Sequence, residues 1–165
     1  MLNKEQITAD LITWLKEFVE KPNSALGNWP PCPYARQARL TNKVEIIFTQ
    51  AKDLLFDVTN NIAVLDDKDV IVYCFDHTEI TSDALVILVT GMNDTLMKRN
   101  IVGLEDHPDA VELINGVQMN FGKCGLLLVA KLDKLNNASD TLRSKGYYKH
   151  WSQENVDEVV TWRYK

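Results

Sequence analysis

Residues 44–75, VEIIFTQAKDLLFDVTNNIAVLDDKDVIVYCF, decide the fold class. Val44-Glu-Ile-Ile-Phe-Thr49 is short and rich in β-branched and aromatic residues, which suits a strand. From Ala51 to Leu65 the apolar period lengthens, and Leu54, Leu55, Val58 and Ile62 fall on one face of a helix. Asp66-Asp67-Lys68 supplies a turn. Asp69-Val-Ile-Val-Tyr-Cys-Phe75 is apolar on both faces, so it belongs at the centre of a sheet covered on both sides. Strand, helix and strand in succession make a β-α-β unit, and the chain reads as an α/β protein.

Downstream, Thr81 or Ser82 caps a helix from Asp83 to about Met97, with Gly91 weakening its middle. The stretch from Asp106 to Phe121 reads two ways. Asn115-Gly116 between Val111–Ile114 and Val117–Phe121 signals a two-residue hairpin, the reading adopted here. Asp106, Pro108 and Gly116 fit equally well as the start and stop of a short helix. Gly125–Ala130 is a third buried strand. Asp133 caps a helix with an apolar face of Leu135, Ala138 and Leu142, and Gly146 lies past its end. Val159–Tyr164 alternates well enough for an edge strand.

Upstream, Ile7, Leu11, Trp14, Leu15 and Phe18 recur at helical spacing, Asn3 with Gln6 can form a capping box, and Pro22 ends the helix. Four of the five prolines then fall between Pro22 and Ala35, together with Trp29 and Tyr34. Prolines reduce the entropy lost on ordering, and the aromatics supply apolar surface to bury, so this loop is expected to be ordered and packed. A short helix is expected from Pro33 to about Leu40, with Cys32 as its N-cap.

After residue 42 the secure elements read β-α-β, an insertion, then β-α-β. That order fits a ferredoxin-like two-layer sandwich with a four-stranded antiparallel sheet. If the Val111–Phe121 hairpin or the Thr81 helix belongs to the core, the order becomes β-α-β-α-β-β-α, a thioredoxin-like arrangement. The 165 residues suffice for a single domain, with residues 1–42 forming a helix and proline-rich loop packed on a core of residues 43–165.

The net charge of −5, with basic residues scattered, speaks against nucleic acid or an anionic membrane as partner. The N-terminus lacks the pattern of a secretory signal and no apolar run approaches a membrane span, so the expected location is the cytoplasm. Three widely spaced cysteines imply free thiols and not a disulfide framework. The sequence contains no GxSxG, Walker A, GxGxxG, HExxH or EF-hand pattern.

Three clusters remain as candidate sites. Trp29–Arg39 is the first. A cysteine at a helix N-terminus near Arg36 favours thiolate, so Cys32 and Arg36 are candidate catalytic residues, with Trp29, Tyr34 and Arg39 lining a ligand or small-anion site. Cys32-Pro33-Tyr34 resembles the start of the glutaredoxin active site, Cys-Pro-Tyr-Cys. Ala35 stands where the second cysteine would be, and no strand precedes the motif, so the resemblance carries no activity here. The second cluster is Asp76-His77-Thr78-Glu79, where Asp76 and His77 can meet a ligand beyond a central strand. His77 and Glu79, joined by His107 and Asp109, have the residue types of an iron or zinc site. The third is Lys145–Trp151, where Tyr148 can stack against a ligand ring. The expected function is a small-molecule or small-anion binding module, or a regulatory one. The competing expectation is an enzyme using the Cys32 thiol or a histidine–carboxylate metal centre. The sequence identifies no cofactor.

Overall fold

The computed structural model describes all residues from 1 to 165. Four strands form a mixed sheet in the order β1 (Val44–Phe48), β2 (Val70–Phe75), β6 (Gly125–Lys131), β3 (Ile101–Asp106). β1 and β2 are adjacent and parallel, with Val44 opposite Val70 and Phe48 opposite Cys74. A parallel pair needs a crossover, and helix α3 (Leu54–Asn61), flanked by two 3-10 turns, provides it. β6 runs antiparallel to both β2 and β3.

Alternation along the strands divides the core in two. Ile71, Tyr73, Phe75, Leu127, Val129 and Ile101 point towards α3 and α4 (Ser82–Leu96), where they meet Leu54, Val58, Leu85, Val89 and Met92. Val72, Cys74 and Leu126 point the other way and are covered by Ile7 and Leu11 of α1 (Lys4–Trp14), with Phe121 and Cys124. β2 is buried on both faces, as its unbroken apolar run requires. At the β2–β6 contact Gly125 lies under the Phe75 ring, where any Cβ would collide with it.

This sheet differs from the ferredoxin-like expectation, because β1 and β2 run parallel side by side and helices lie on both faces. The reason is the insertion: it contributes α4 and β3 to the core. The core elements run β1-α3-β2-α4-β3-β6 and end on α5 (Leu132–Ser144), a mixed α/β arrangement, and the expected hairpin stands outside the main sheet. That hairpin is β4 (Leu113–Ile114) and β5 (Val117–Gln118), turning on Asn115 and Gly116, both with positive φ. β3 itself was not foreseen.

Two further expectations change. The tail forms no edge strand: Ser152 caps α6 (Gln153–Val159), and a 3-10 turn covers Thr161–Tyr164. The helix after the proline-rich loop, α2, spans Ala35–Leu40, so Tyr34 and not Cys32 occupies its N-cap. The loop is tied down. Asn23 bridges to Trp29, Leu26 is buried, and the Cys32 N–H donates to the Val19 carbonyl. Gly27 sits against the His150 ring at φ 67°, a position where a Cβ would strike the imidazole. No helix is long and apolar enough to cross a membrane.

Candidate functional site

The helix α5 (Leu132–Ser144) ends at Gly146, whose φ of 84° turns the chain into the segment Tyr147–His150. Four aromatic rings then stack on one another. Tyr147 is edge-on to Trp29 at 5.6 Å and to Tyr148 at 4.9 Å, and Trp151 packs 5.6 Å from Tyr147 and 5.0 Å from Tyr148. The Tyr147 hydroxyl donates to the Pro31 carbonyl at 2.5 Å. The proline-rich loop is therefore the back wall of this cluster, and burial raises the Tyr147 phenol well above its ordinary range.

In front of the cluster lies a pocket of about 560 Å³, walled by Arg143, Tyr148, Trp151, Val156, Asp157 and Tyr164, with Gln153 and Thr161. Asp157 accepts hydrogen bonds from Gln153 and Thr161, and Tyr164 donates to Asp140 at 2.8 Å. Arg143 is exposed and makes no ion pair. The Trp151 indole N–H is buried and has no hydrogen-bond partner.

Behind the Tyr148 and Tyr164 wall stands Arg163, only 4% exposed. One guanidinium nitrogen, Nη2, donates to Ser139 Oγ at 2.8 Å, and the Tyr148 hydroxyl donates to the same oxygen at 3.2 Å. Nε and Nη1 have no partner, and no carboxylate lies within ion-pair distance. Nearby Asn136 donates its amide to the Arg163 carbonyl, and its own buried Oδ1 is unpartnered, but an amide oxygen neutralises no charge. Desolvation lowers the Arg163 pKa from its ordinary value, against the weaker pull of the Asp140 carboxylate beyond ion-pair range. A buried cation without a counter-ion costs several kcal/mol, and here two of its donor atoms are unused as well.

The residues expected to act are distributed differently from the expectation. Trp29 and Tyr148 share the aromatic cluster through Tyr147. Tyr34 is 41% exposed and faces no pocket wall. Arg39 is bound bidentately by Glu20 at 2.7 and 2.8 Å, which holds the Glu20 carboxyl below its usual range. Arg36 is exposed. Cys32 is an exposed residue in the loop, and its thiol is pushed up, first by desolvation of the sulfur and also by the Glu20 charge, against smaller contributions from the Tyr34 and Ala35 N–H groups. The helix-end N–H groups of Tyr34 and Ala35 do favour thiolate, as the sequence suggested, but desolvation and the Glu20 charge outweigh them and Arg36 contributes nothing.

His77 and His107 do meet, their rings edge-on at 5.8 Å. His107, however, is a structural lock. Its Nε2–H donates to the Ile80 carbonyl at 2.8 Å and points towards that of His77 at 3.2 Å, while Nδ1 accepts from the Asp109 N–H at 3.1 Å. Both ring nitrogens are occupied. Glu79 is engaged too, accepting from the Ala51 N–H at 2.7 Å. Asp76 caps its own turn by accepting from Thr78, which lowers its pKa. His77, Glu79, His107 and Asp109 therefore do not combine as a metal site, and no three histidine, cysteine, aspartate or glutamate side chains in the chain group to hold an ion.

Sequence reasoning missed Arg143, Gln153, Val156, Asp157, Thr161 and Tyr164 of the pocket wall, and Arg163 behind it. For Arg163 and Tyr164 the only signal was the triplet Trp162-Arg163-Tyr164, which the strand reading placed on alternate faces of an edge. No known protein family, curated protein or solved structure matches the chain.

Proposed function

We propose that this chain is a small-ligand-binding module whose ligand carries an anionic group and a flat apolar body, held in the pocket between α5 and the C-terminal segment. The observation that carries this reading is Arg163, a buried guanidinium with two unused donor atoms and no counter-ion. Buried charges are ordinarily paired, so the missing partner is best supplied by a ligand. Arg143 at the mouth adds a second cation. Tyr148, Trp151 and Tyr164 offer ring faces and edges, and the Trp151 N–H adds an unused donor. An anion entering the pocket meets the positive field of both arginines, while a ring fits between the aromatic walls.

The test is a titration of the ¹⁵N-labelled protein with benzoate, benzamide and inorganic phosphate. Benzoate is expected to shift the Trp151 indole N–H resonance saturably, benzamide to do so far less, and Arg163→Met to abolish the difference between them. Equal responses to benzoate and benzamide would contradict an anion site. No response to any of the three at tens of millimolar would contradict the pocket reading as a whole.

A further inference from the structure

A second concavity, larger than the first, runs beside the free edge of β3. Its volume is about 930 Å³. Its floor is apolar: Trp14 from the end of α1, Met97 after α4, Leu104 and Leu128 from the sheet face that α1 leaves uncovered, Met119 from the insertion, and Trp162 from the C-terminal turn. The carboxylates Glu105, Asp106, Glu112 and Glu158 also line it, and none makes an ion pair. Lys98 and Lys165 line it as well and form no ion pair with these acids. Asp106 is engaged by the Asn120 amide and the Phe121 N–H, which leaves Glu105, Glu112 and Glu158, with Asp94 of α4, as the free anions. Burial raises the carboxyl pKa of Glu105 and Glu112, and for Glu112 repulsion from Asp106, Glu105 and Glu158 adds to it.

The edge strand offers no template for strand addition. Asn93 of α4, itself only 7% exposed, accepts from the Gly103 N–H at 2.8 Å and donates to the Gly103 carbonyl at 2.9 Å. Those are the outward-facing backbone groups at the middle of β3, and the side chain plugs them. An occupant must therefore use side chains and not its backbone. Apolar side chains suit the floor and cations suit the free carboxylates, a combination found on one amphipathic helix.

We propose that this groove docks a basic amphipathic helix of a partner protein, its leucine-like residues between Trp14 and Trp162 and its lysines or arginines against Glu105, Glu112 and Glu158. The proposal is independent of the anion pocket and uses none of its lining residues.

The test uses the full chain and a dye-labelled synthetic peptide with leucine and lysine at helical spacing, read by fluorescence anisotropy at physiological salt. Three proteins are compared: the unmodified chain, the groove variant Glu105→Gln/Glu112→Gln/Glu158→Gln, and a charge-matched variant Glu5→Gln/Glu17→Gln/Asp67→Asn remote from the groove. The unmodified and charge-matched proteins are expected to bind saturably and alike, and the groove variant to bind about tenfold more weakly or worse. A peptide of the same composition scrambled to remove its apolar face is expected not to saturate. Equal losses in the two variants would overturn the proposal as diffuse charge attraction. So would equal binding of the scrambled peptide, or no saturable binding to the unmodified protein. Circular dichroism of both variants confirms that each is folded.

Discussion

The two concave surfaces of this molecule are opposites built on the same segment. Beside the smaller pocket stands a buried arginine with no carboxylate in ion-pair range, and the larger groove holds more carboxylates than cations, none of them in an ion pair. Residues 153–165 separate them: Val156, Asp157, Thr161 and Tyr164 face the pocket, while Glu158, Val159, Trp162 and Lys165 face the groove. A short helix followed by a tight turn thus presents opposite charges to two sides. The helical core beneath α3 and α4 shows no such imbalance; its one polar intruder, Asn93, has both ends of its amide satisfied. Elsewhere some carboxylates are paired, Glu20 with Arg39 and Asp66 with Lys131. Charged groups without an ion pair that also lie in or beside a concavity are the natural candidates for binding.

The comparison can be broken most forcefully at its shared support. Tyr147 is 3% exposed, touches Trp29, Tyr148 and Trp151, and hydrogen-bonds the proline-rich loop. Tyr147→Ala is expected to cost about 3–5 kcal/mol, the usual range for truncating a buried aromatic, and to speed hydrogen exchange across residues 22–35. Urea denaturation and exchange measurements check both effects. Retention of slow exchange in the loop would show that its order comes from elsewhere.

A smaller effect sharpens the electrostatic contrast. The carboxyls of Glu105, Asp106 and Glu112 are raised by burial. A carboxyl whose folded pKa exceeds its unfolded value favours the folded state when protonated, and that contribution is lost as pH rises through the folded pKa. The groove therefore destabilises the protein at neutral pH and is relieved as pH falls towards the usual carboxylate range. Glu105→Gln/Glu112→Gln should raise Tm at pH 7, and the gain should shrink on acidification. Glu20, Asp76 and Asp133 act in the opposite sense, since their lowered pKa values make stability fall with pH in both proteins alike. A gain independent of pH would mean that the glutamines act through packing.

Much of this architecture was legible in the residues. The β-α-β unit of residues 44–75 showed because its apolar period changes from strand to helix and back. The Asn115-Gly116 turn showed because few residue pairs accept two positive φ angles in succession. β3 was hidden: Ile101-Val-Gly-Leu-Glu-Asp106 is short, broken by Gly103 and ends in two acids, and what makes it a strand is pairing with β6 and the Asn93 plug. In the tail, Val159-Val-Thr-Trp-Arg-Tyr164 alternates like a strand, yet Ser152 as N-cap with Val156, Val159 and Val160 at helical spacing gave the competing signal that prevailed. Of the site, Tyr148 was legible as an aromatic outside regular structure. Arg163 was not, because a buried charge has no periodic signature; its burial depends on how the last turn packs on α5.

The most direct test of the account is the thermal stability of Arg163→Met beside the unmodified protein, each with and without benzoate. A buried guanidinium lacking a counter-ion contributes little to folding, and apolar replacement of buried charge is commonly neutral or stabilising. The variant is expected to match or exceed the unmodified protein by about 1 kcal/mol without ligand, and only the unmodified protein should gain Tm as benzoate is added. A loss of 3 kcal/mol or more in the variant (roughly the cost of breaking a buried ion pair), or an equal benzoate-dependent gain in both proteins, would contradict it.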